Sequence, residues 1–281
     1  MSLLEHGICL VGYTYREYST EYAFFKAKEY GYDAIELRDF LDFRDENFDS
    51  LKKTLSRAKE LSLRYGVIFP IIFLQIDKFF AAEETVNKLM QILSDYGIST
   101  LHTHARIILN GKPITSAEAS EEQYKVEAEK LVRMANVAKN YAITISVETH
   151  MGTICDTSTS TLKLINYINH DFVKVSLDFA NILIVNRNED LQKVIEKFKD
   201  NIGYVHLKNC KYFAWGYDWN VPLEAGDINY HKVIAKLLQS GYSGLLGVEY
   251  CGTGDPNVFA SKDIKYLRRI IRELKSSNMI F

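Results

Sequence analysis

Short strand-like runs alternate with amphipathic helical segments along the whole chain, and this alternation restricts the fold more than any other feature. Strand-like pieces rich in β-branched and aromatic residues fall near 7–12, 33–38, 66–73, 98–105, 142–149, 172–178, 202–208 and 244–250. Between them lie segments such as EYAFFKAKEYG, LKKTLSRAKELS, AEETVNKLMQILSDYG and EEQYKVEAEKLVRMANVAKNY, whose apolar residues recur at helical spacing. Gly31 and Gly97 stand just past two of these helices, where a left-handed C-cap belongs. Thr157 and Ser158 stand at a helix start as N-cap candidates. Eight such alternations in 281 residues, with no long linker, predict the α/β class and a single (β/α)8 TIM barrel over residues 1–281. The rival, an open doubly wound sheet, would usually carry a Gly-rich phosphate loop after an early strand, and none is present.

The bulk numbers exclude several classes of function. A chain of this length buries roughly 75% of the surface it exposes when unfolded, and 47% apolar residues suffice for such a core. A formal charge of −2 leaves no basic field to attract nucleic acid or an anionic membrane. The cysteines Cys9, Cys155, Cys210 and Cys251 are far apart, with neither zinc-finger nor disulfide-framework spacing. The start lacks the basic and apolar regions of a signal peptide, and the longest apolar stretch, 67–74, is too short to cross a bilayer. A cytoplasmic setting is expected.

Four successive strand-like segments in the second half each end on a metal-ligand type of side chain: Glu148 in ITISVETH, Asp178 in VKVSLDFAN, His206 in IGYVHLKN and Glu249 in LLGVEYCG. Strands alternate side-chain direction. Ser146, Glu148 and His150 therefore share a face, as do Ser176 with Asp178, His206 with Lys208, and Gly247 with Glu249. If those faces point inward, the three carboxylates and the imidazole converge at the C-terminal mouth, and a cation relieves their repulsion. Oxygen and nitrogen donors without thiolate suit Mn²⁺, Mg²⁺ or Co²⁺, with Zn²⁺ also compatible. The expected cofactor is one divalent cation, Mn²⁺ first. Taken singly, a glutamate at a strand end is more often solvated or ion-paired and a lone histidine more often a satisfied core residue; the set carries the inference.

Other residues have two readings each. Lys208 either steadies an oxyanion or a phosphate at the mouth, or extends out to solvent. Glu36 and Arg38 share a face, as do His102, His104 and Arg106. Arg38 or Arg106 would hold a carboxylate or phosphate through paired donors, with ion pairing to Glu36 the plainer reading of Arg38. His102 or His104 is expected to line the pocket, with His104 counted among the substrate contacts, and Tyr13 and Tyr15 are pocket candidates by position only. The stretch 209–229, NCKYFAWGYDWNVPLEAGDIN, reads as a long irregular loop on the catalytic face. Its aromatics Tyr212, Phe213, Trp215, Tyr217 and Trp219 suit a pocket wall, Trp215 counted among the substrate contacts, or plain packing.

The segments ETHMGTICDTSTSTLKLI, SLDFAN, VHLKN, PLEAGDINY and VEY, with GYDAIELR nearer the start, resemble those of the xylose-isomerase-like TIM-barrel superfamily of sugar and sugar-phosphate isomerases and epimerases. The resemblance implies that Glu148, Asp178, His206 and Glu249 are the metal ligands and that Glu148 and Glu249 also move protons. The expected activity is isomerisation or epimerisation of a small sugar or sugar phosphate through an enediolate. Glu148-Thr149-His150, with the following DT and STL segments, also resembles the 3-dehydroshikimate dehydratase branch, which implies His150 as base of an elimination. The alternatives are thus a dehydratase of a cyclic hydroxyketone such as 3-dehydroshikimate or inosose, and a sugar-binding barrel without turnover. Two positions depart from relatives. Asp178-Phe179-Ala180-Asn181 has Asn181 where a histidine often contacts substrate, leaving an amide able to bond a hydroxyl. Asp227-Ile228-Asn229 lacks the histidine of the DNA-repair endonuclease branch, and Asp227 reads as a loop cap. A small sugar-like substrate is the expected partner, and a homo-oligomer is compatible with the aromatic loop.

Overall fold

Strand β1 (Ile8–Val11) pairs in parallel with both β2 (Ala34–Leu37) and β8 (Leu246–Val248), and this double pairing closes the sheet. Between them run β3 (Ile68–Phe73), β4 (Thr100–Thr103), β5 (Thr144–Glu148), β6 (Val173–Asp178) and β7 (Ile202–Leu207), all parallel and paired in sequence order around a closed barrel. The structure is a computed structural model and describes residues 7–37, 48–75 and 82–276. The helices are α1 (Thr20–Tyr30), α2 (Phe48–Tyr65), α3 (Glu83–Asp95), α4 (Glu121–Ala138), α5 (Ser158–Ile168), α6 (Phe179–Val185), α7 (Leu191–Phe198), α8 (Tyr230–Gln239) and α9 (Pro256–Ser276). The (β/α)8 expectation therefore holds.

Local chemistry sets the ends of these helices. Ser19 caps α1 by accepting the Tyr22 N–H, and Gly31 ends it at φ 86°. Thr157 and Ser160 form a reciprocal capping box on α5, so Thr157 is the cap; Ser158 is already helical and gives its hydroxyl to Glu189. Helix α6 has no linker before it: β6 ends at Asp178, whose carboxylate accepts the Asn181 N–H and so caps the helix that starts on the next residue.

The stretch after β7 is more ordered than the expected irregular loop. Lys211–Phe213 and Gly216–Asp218 pair as an antiparallel hairpin. Asp227 accepts the Tyr212 N–H at 2.9 Å, as its reading as a loop cap anticipates. Buried Asn209 donates to the Leu223 and Ile228 carbonyls and accepts from the Cys210 and Ile228 N–H groups, tying the two ends together. Residue 226 must be glycine here, because a Cβ would lie 2.1 Å from the Asn209 amide.

Between barrel and helices packs the apolar core, including Leu51, Leu55, Leu89, Leu131, Leu164, Phe198 and Leu267. The inside of the barrel is different. Glu36, His102, Ser146, Glu148, Ser176, Asp178 and His206 are all fully buried. Tyr204 fills the space opposite Gly247, where a Cβ would lie 2.2 Å from its hydroxyl. A polar column of this kind is costly unless its members pair with one another or hold an ion.

Candidate metal centre and its surroundings

The four predicted ligands converge at the C-terminal ends of their strands. Asp178 and His206 are register partners on β6 and β7, and Gly247 of β8 pairs with His206 on its other side. Glu148 ends β5, while Glu249 stands one residue past β8. Each of the four offers one ligand atom, and these atoms all lie within 4.8 Å of one another. From His206 Nδ1 the distances are 3.3 Å to Glu148 Oε1, 4.0 Å to Asp178 Oδ2 and 3.8 Å to Glu249 Oε2.

Lys208 enters the same space rather than extending to solvent. Its ammonium lies 2.9 Å from Asp178 Oδ2 and 2.8 Å from Glu249 Oε2, and 5.5 Å from the Trp219 ring centroid. Burial would lower the lysine, but Asp178 first among its charged neighbours holds it well above its ordinary value. Burial raises the Asp178 carboxyl to about 6; Lys208 opposes that rise, and Glu148 and Glu249 add to it. Burial would raise Glu148 too, yet His206 and His104 pull it well below the usual carboxylate range. The facing Glu36 and Glu148 outweigh burial at His206 and raise it.

This set fits a hard divalent cation. Three buried carboxylates face one ammonium and the imidazoles, and among the described residues His206 Nδ1 makes no aligned hydrogen bond although it faces all three carboxylates. A buried ring nitrogen turned toward carboxylate oxygens suits an ion held between them, and oxygen and nitrogen donors without thiolate suit a hard divalent cation.

Around the four stands a ring of supporting residues. His104 Nε2 is 2.7 Å from Glu148 Oε2. His150 is half-buried, with Nδ1 2.6 Å from the Met151 carbonyl and its ring 4.2 Å from that of His104. His104, Glu148 and His150 form a second ligand-type cluster that shares Glu148 with the first. Asn181 Nδ2 lies 3.4 Å from Glu148 Oε1 and 3.2 Å from the Thr149 carbonyl, while its Oδ1 is buried without a hydrogen bond among the described residues.

Several expectations change. Trp215 is 84% exposed at the hairpin, stacked on Phe213, and the aromatic residue over the site is Trp219. The hairpin turns between residues 213 and 216 and so directs Trp215 outward. Arg106 lies in a groove with Glu122, Gln123 and Glu127 of α4, away from the mouth. Tyr15 is fully buried and donates to Asn257, which removes it from the pocket. Arg38 lies outside the described residues. Both oxygens of Glu36 are engaged by histidines: Oε1 is 3.0 Å from His102 Nδ1 and Oε2 is 2.8 Å from His206 Nε2. His102, a pocket candidate from sequence together with His104, is fully buried against Glu36. Glu36 itself reads from sequence only as an ion-pair partner for Arg38, although its parity with the barrel face is the signal available.

Comparisons place this geometry among known proteins. The chain is 26% identical over 195 residues to an inosose dehydratase of Clostridium perfringens, and it spans 63% of that protein's length with 63% of its own. It is 24% identical over 234 residues to an L-ribulose-5-phosphate 3-epimerase of Escherichia coli, covering 78% of this chain and 77% of that one. Its fold matches a xylose isomerase-like TIM barrel protein from Mycobacterium smegmatis in complex with magnesium, with a TM-score of 0.73, 15% identity, and coverage of 96% of this chain and 98% of that chain. The family model described as xylose isomerase-like TIM barrel matches residues 24–270. With a closed barrel and a match over most of its length, the chain belongs to the xylose isomerase-like TIM barrel family.

Proposed function

We propose that the protein is a divalent-metal-dependent isomerase or epimerase of a small sugar or sugar phosphate, acting by proton transfer beside a carbonyl. The observation that carries this reading is the buried four-residue set in which Glu148, at the end of β5, and Glu249, just past β8, flank Asp178 and His206. Glu148, Asp178, His206 and Glu249 would hold one cation, Mn²⁺ in the first instance. When bound, the cation supplies Lewis-acid stabilisation of the negative charge that builds on the substrate oxygen.

The remaining work falls to the side chains. Glu148 and Glu249 would take and return the proton from opposite faces of the substrate; return to the same carbon epimerises, and return to the adjacent carbon isomerises. Lys208 brings a fixed positive charge to the substrate oxygen or to a phosphate. The Asn181 Oδ1 is an acceptor suited to a substrate hydroxyl. His104 fixes the orientation of Glu148.

A second reading has its own support. His150 clusters with His104 and Glu148, which puts an imidazole beside a ligand-type carboxylate. The inosose dehydratase likeness points the same way. On this reading His150 removes the proton and a β-hydroxyl leaves, giving a conjugated product from inosose, 3-dehydroshikimate or a similar ketone.

Proton NMR in D₂O on pooled ketoses, ketose phosphates, inosose and 3-dehydroshikimate separates the readings. Each pool is run with Mn²⁺-loaded protein and again with excess EDTA. Metal-dependent loss of a C–H signal with an epimer or isomer as product supports the first reading, and a new conjugated product supports the second. No exchange in any pool, with Mn²⁺ shown to bind, overturns both for these substrates and favours a binding barrel.

A further inference from the structure

We propose that Glu36 is the positioning residue of the site: it anchors two imidazoles at once, so that both present their second nitrogen to Glu148. The inference rests on the metal-dependent reading above and assigns the side chain that shapes it from below. Glu36 sits on β2, outside the run of strands that carries the ligand set, and is fully buried. A carboxylate can only accept, so His206 Nε2 and His102 Nδ1, at 2.8 and 3.0 Å from its oxygens, must each carry a proton.

That assignment determines what the other nitrogens do. His206 Nδ1 lies 3.3 Å from Glu148 Oε1, and His102 Nε2 lies 3.4 Å from Glu148 Oε2. Among the described residues, neither nitrogen makes an aligned hydrogen bond. The two rings stand nearly perpendicular, at 82° with centroids 4.7 Å apart, so one carboxylate sets two ring planes around a common target. Metal-bound histidines commonly give their far N–H to a carboxylate, which fixes the tautomer and makes the near nitrogen a better donor. Here the same carboxylate also aligns His102, a residue outside the ligand set, against the ligand Glu148.

The test uses Glu36→Gln, which preserves volume but replaces one accepting oxygen by an NH₂ group, with Glu36→Ala as the more severe change. The full chain is examined by imidazole ¹⁵N–¹H spectra, and by Mn²⁺ titration and Co²⁺ absorption. In the wild type the His206 Nε2–H and His102 Nδ1–H protons are expected to be protected from exchange, with and without cation. In Glu36→Gln at least one is lost, Mn²⁺ binds roughly 10- to 100-fold more weakly, and the Co²⁺ spectrum shifts. His102→Phe, which leaves His206 anchored, weakens Mn²⁺ binding less than Glu36→Gln does. Unchanged Mn²⁺ affinity and Co²⁺ spectrum in a folded Glu36→Gln variant overturn the proposal. Should the wild type bind no Mn²⁺, the metal-dependent function fails separately. The spectra then decide the positioning role: protected protons lost in the variant support it, and their absence from the wild type overturns it.

Discussion

Glu148 and Glu249 differ in their surroundings as well as their strands, and the proposed proton chemistry can be tested residue by residue. Glu148 is held ionised by His206 and His104, whereas Glu249 shares Lys208 with Asp178. Replacing either carboxylate with its amide keeps the shape and removes the base. Glu148→Gln and Glu249→Gln are each expected to lower substrate proton exchange by about 10²- to 10⁴-fold, read by loss of the C–H signal in D₂O. His150→Ala separates the two chemistries: an isomerase keeps its rate, and a dehydratase loses a comparable factor. At this scale the convergence of Glu148, Asp178, His206 and Glu249 was legible in the sequence, because strand alternation decides which side chains share the barrel face. The partners of those four residues were not legible. Glu36 and His206 are 170 residues apart, and nothing local to either shows that β2 and β7 bring them together across the barrel.

Among the elements, the connection from β7 to α8 departs most from what periodicity foretells. Its hairpin strands are only three residues each, too short for alternation to stand out, and the aromatics Phe213 and Trp215 stack on each other at 5.0 Å instead of facing the site. Helix α6 was hidden for a related reason: it begins on the residue after β6, with no turn residues to mark its start. By contrast, Gly31 and Thr157 signalled their helix ends because capping is a local hydrogen-bonding event. The same β7–α8 connection carries a pH-dependent tether. Asp263 of α9 accepts the Leu223 N–H at 2.8 Å. Burial raises its carboxyl from 3.8 to about 7, only partly relieved by that N–H, with Glu224 adding to the rise. Between those values the folded chain binds the proton more tightly than the unfolded chain. This group's contribution to stability therefore falls as pH rises through the window, by at most about 1.4 kcal/mol per pH unit. Asp263→Asn retains an acceptor for Leu223 and removes the slope. Urea unfolding is expected to show the variant more stable than wild type at pH 8, with the difference closing below pH 4.

For the whole molecule, the barrel interior is where stability and function meet. No helix among the described residues is long and apolar enough to cross a membrane, and Glu36, His102, Glu148, Asp178 and His206 are fully buried inside the barrel. A cation bound there would act on the folded state only, stabilising it by about 2.7 kcal/mol at a hundredfold excess over its dissociation constant. Mn²⁺ is therefore expected to raise the melting temperature, EDTA to reverse the rise, and Asp178→Asn, which keeps the α6 cap, to abolish most of it. Calorimetry of wild type and variant with and without Mn²⁺ checks this. The Tyr204–Gly247 contact has a consequence on a longer timescale. Since any side chain at 247 would collide with the Tyr204 ring and hydroxyl, the two positions cannot change independently. A lineage of such chains could enlarge residue 247 only after residue 204 had become smaller. The floor beneath the site therefore constrains the order in which mutations can accumulate as well as the shape they produce.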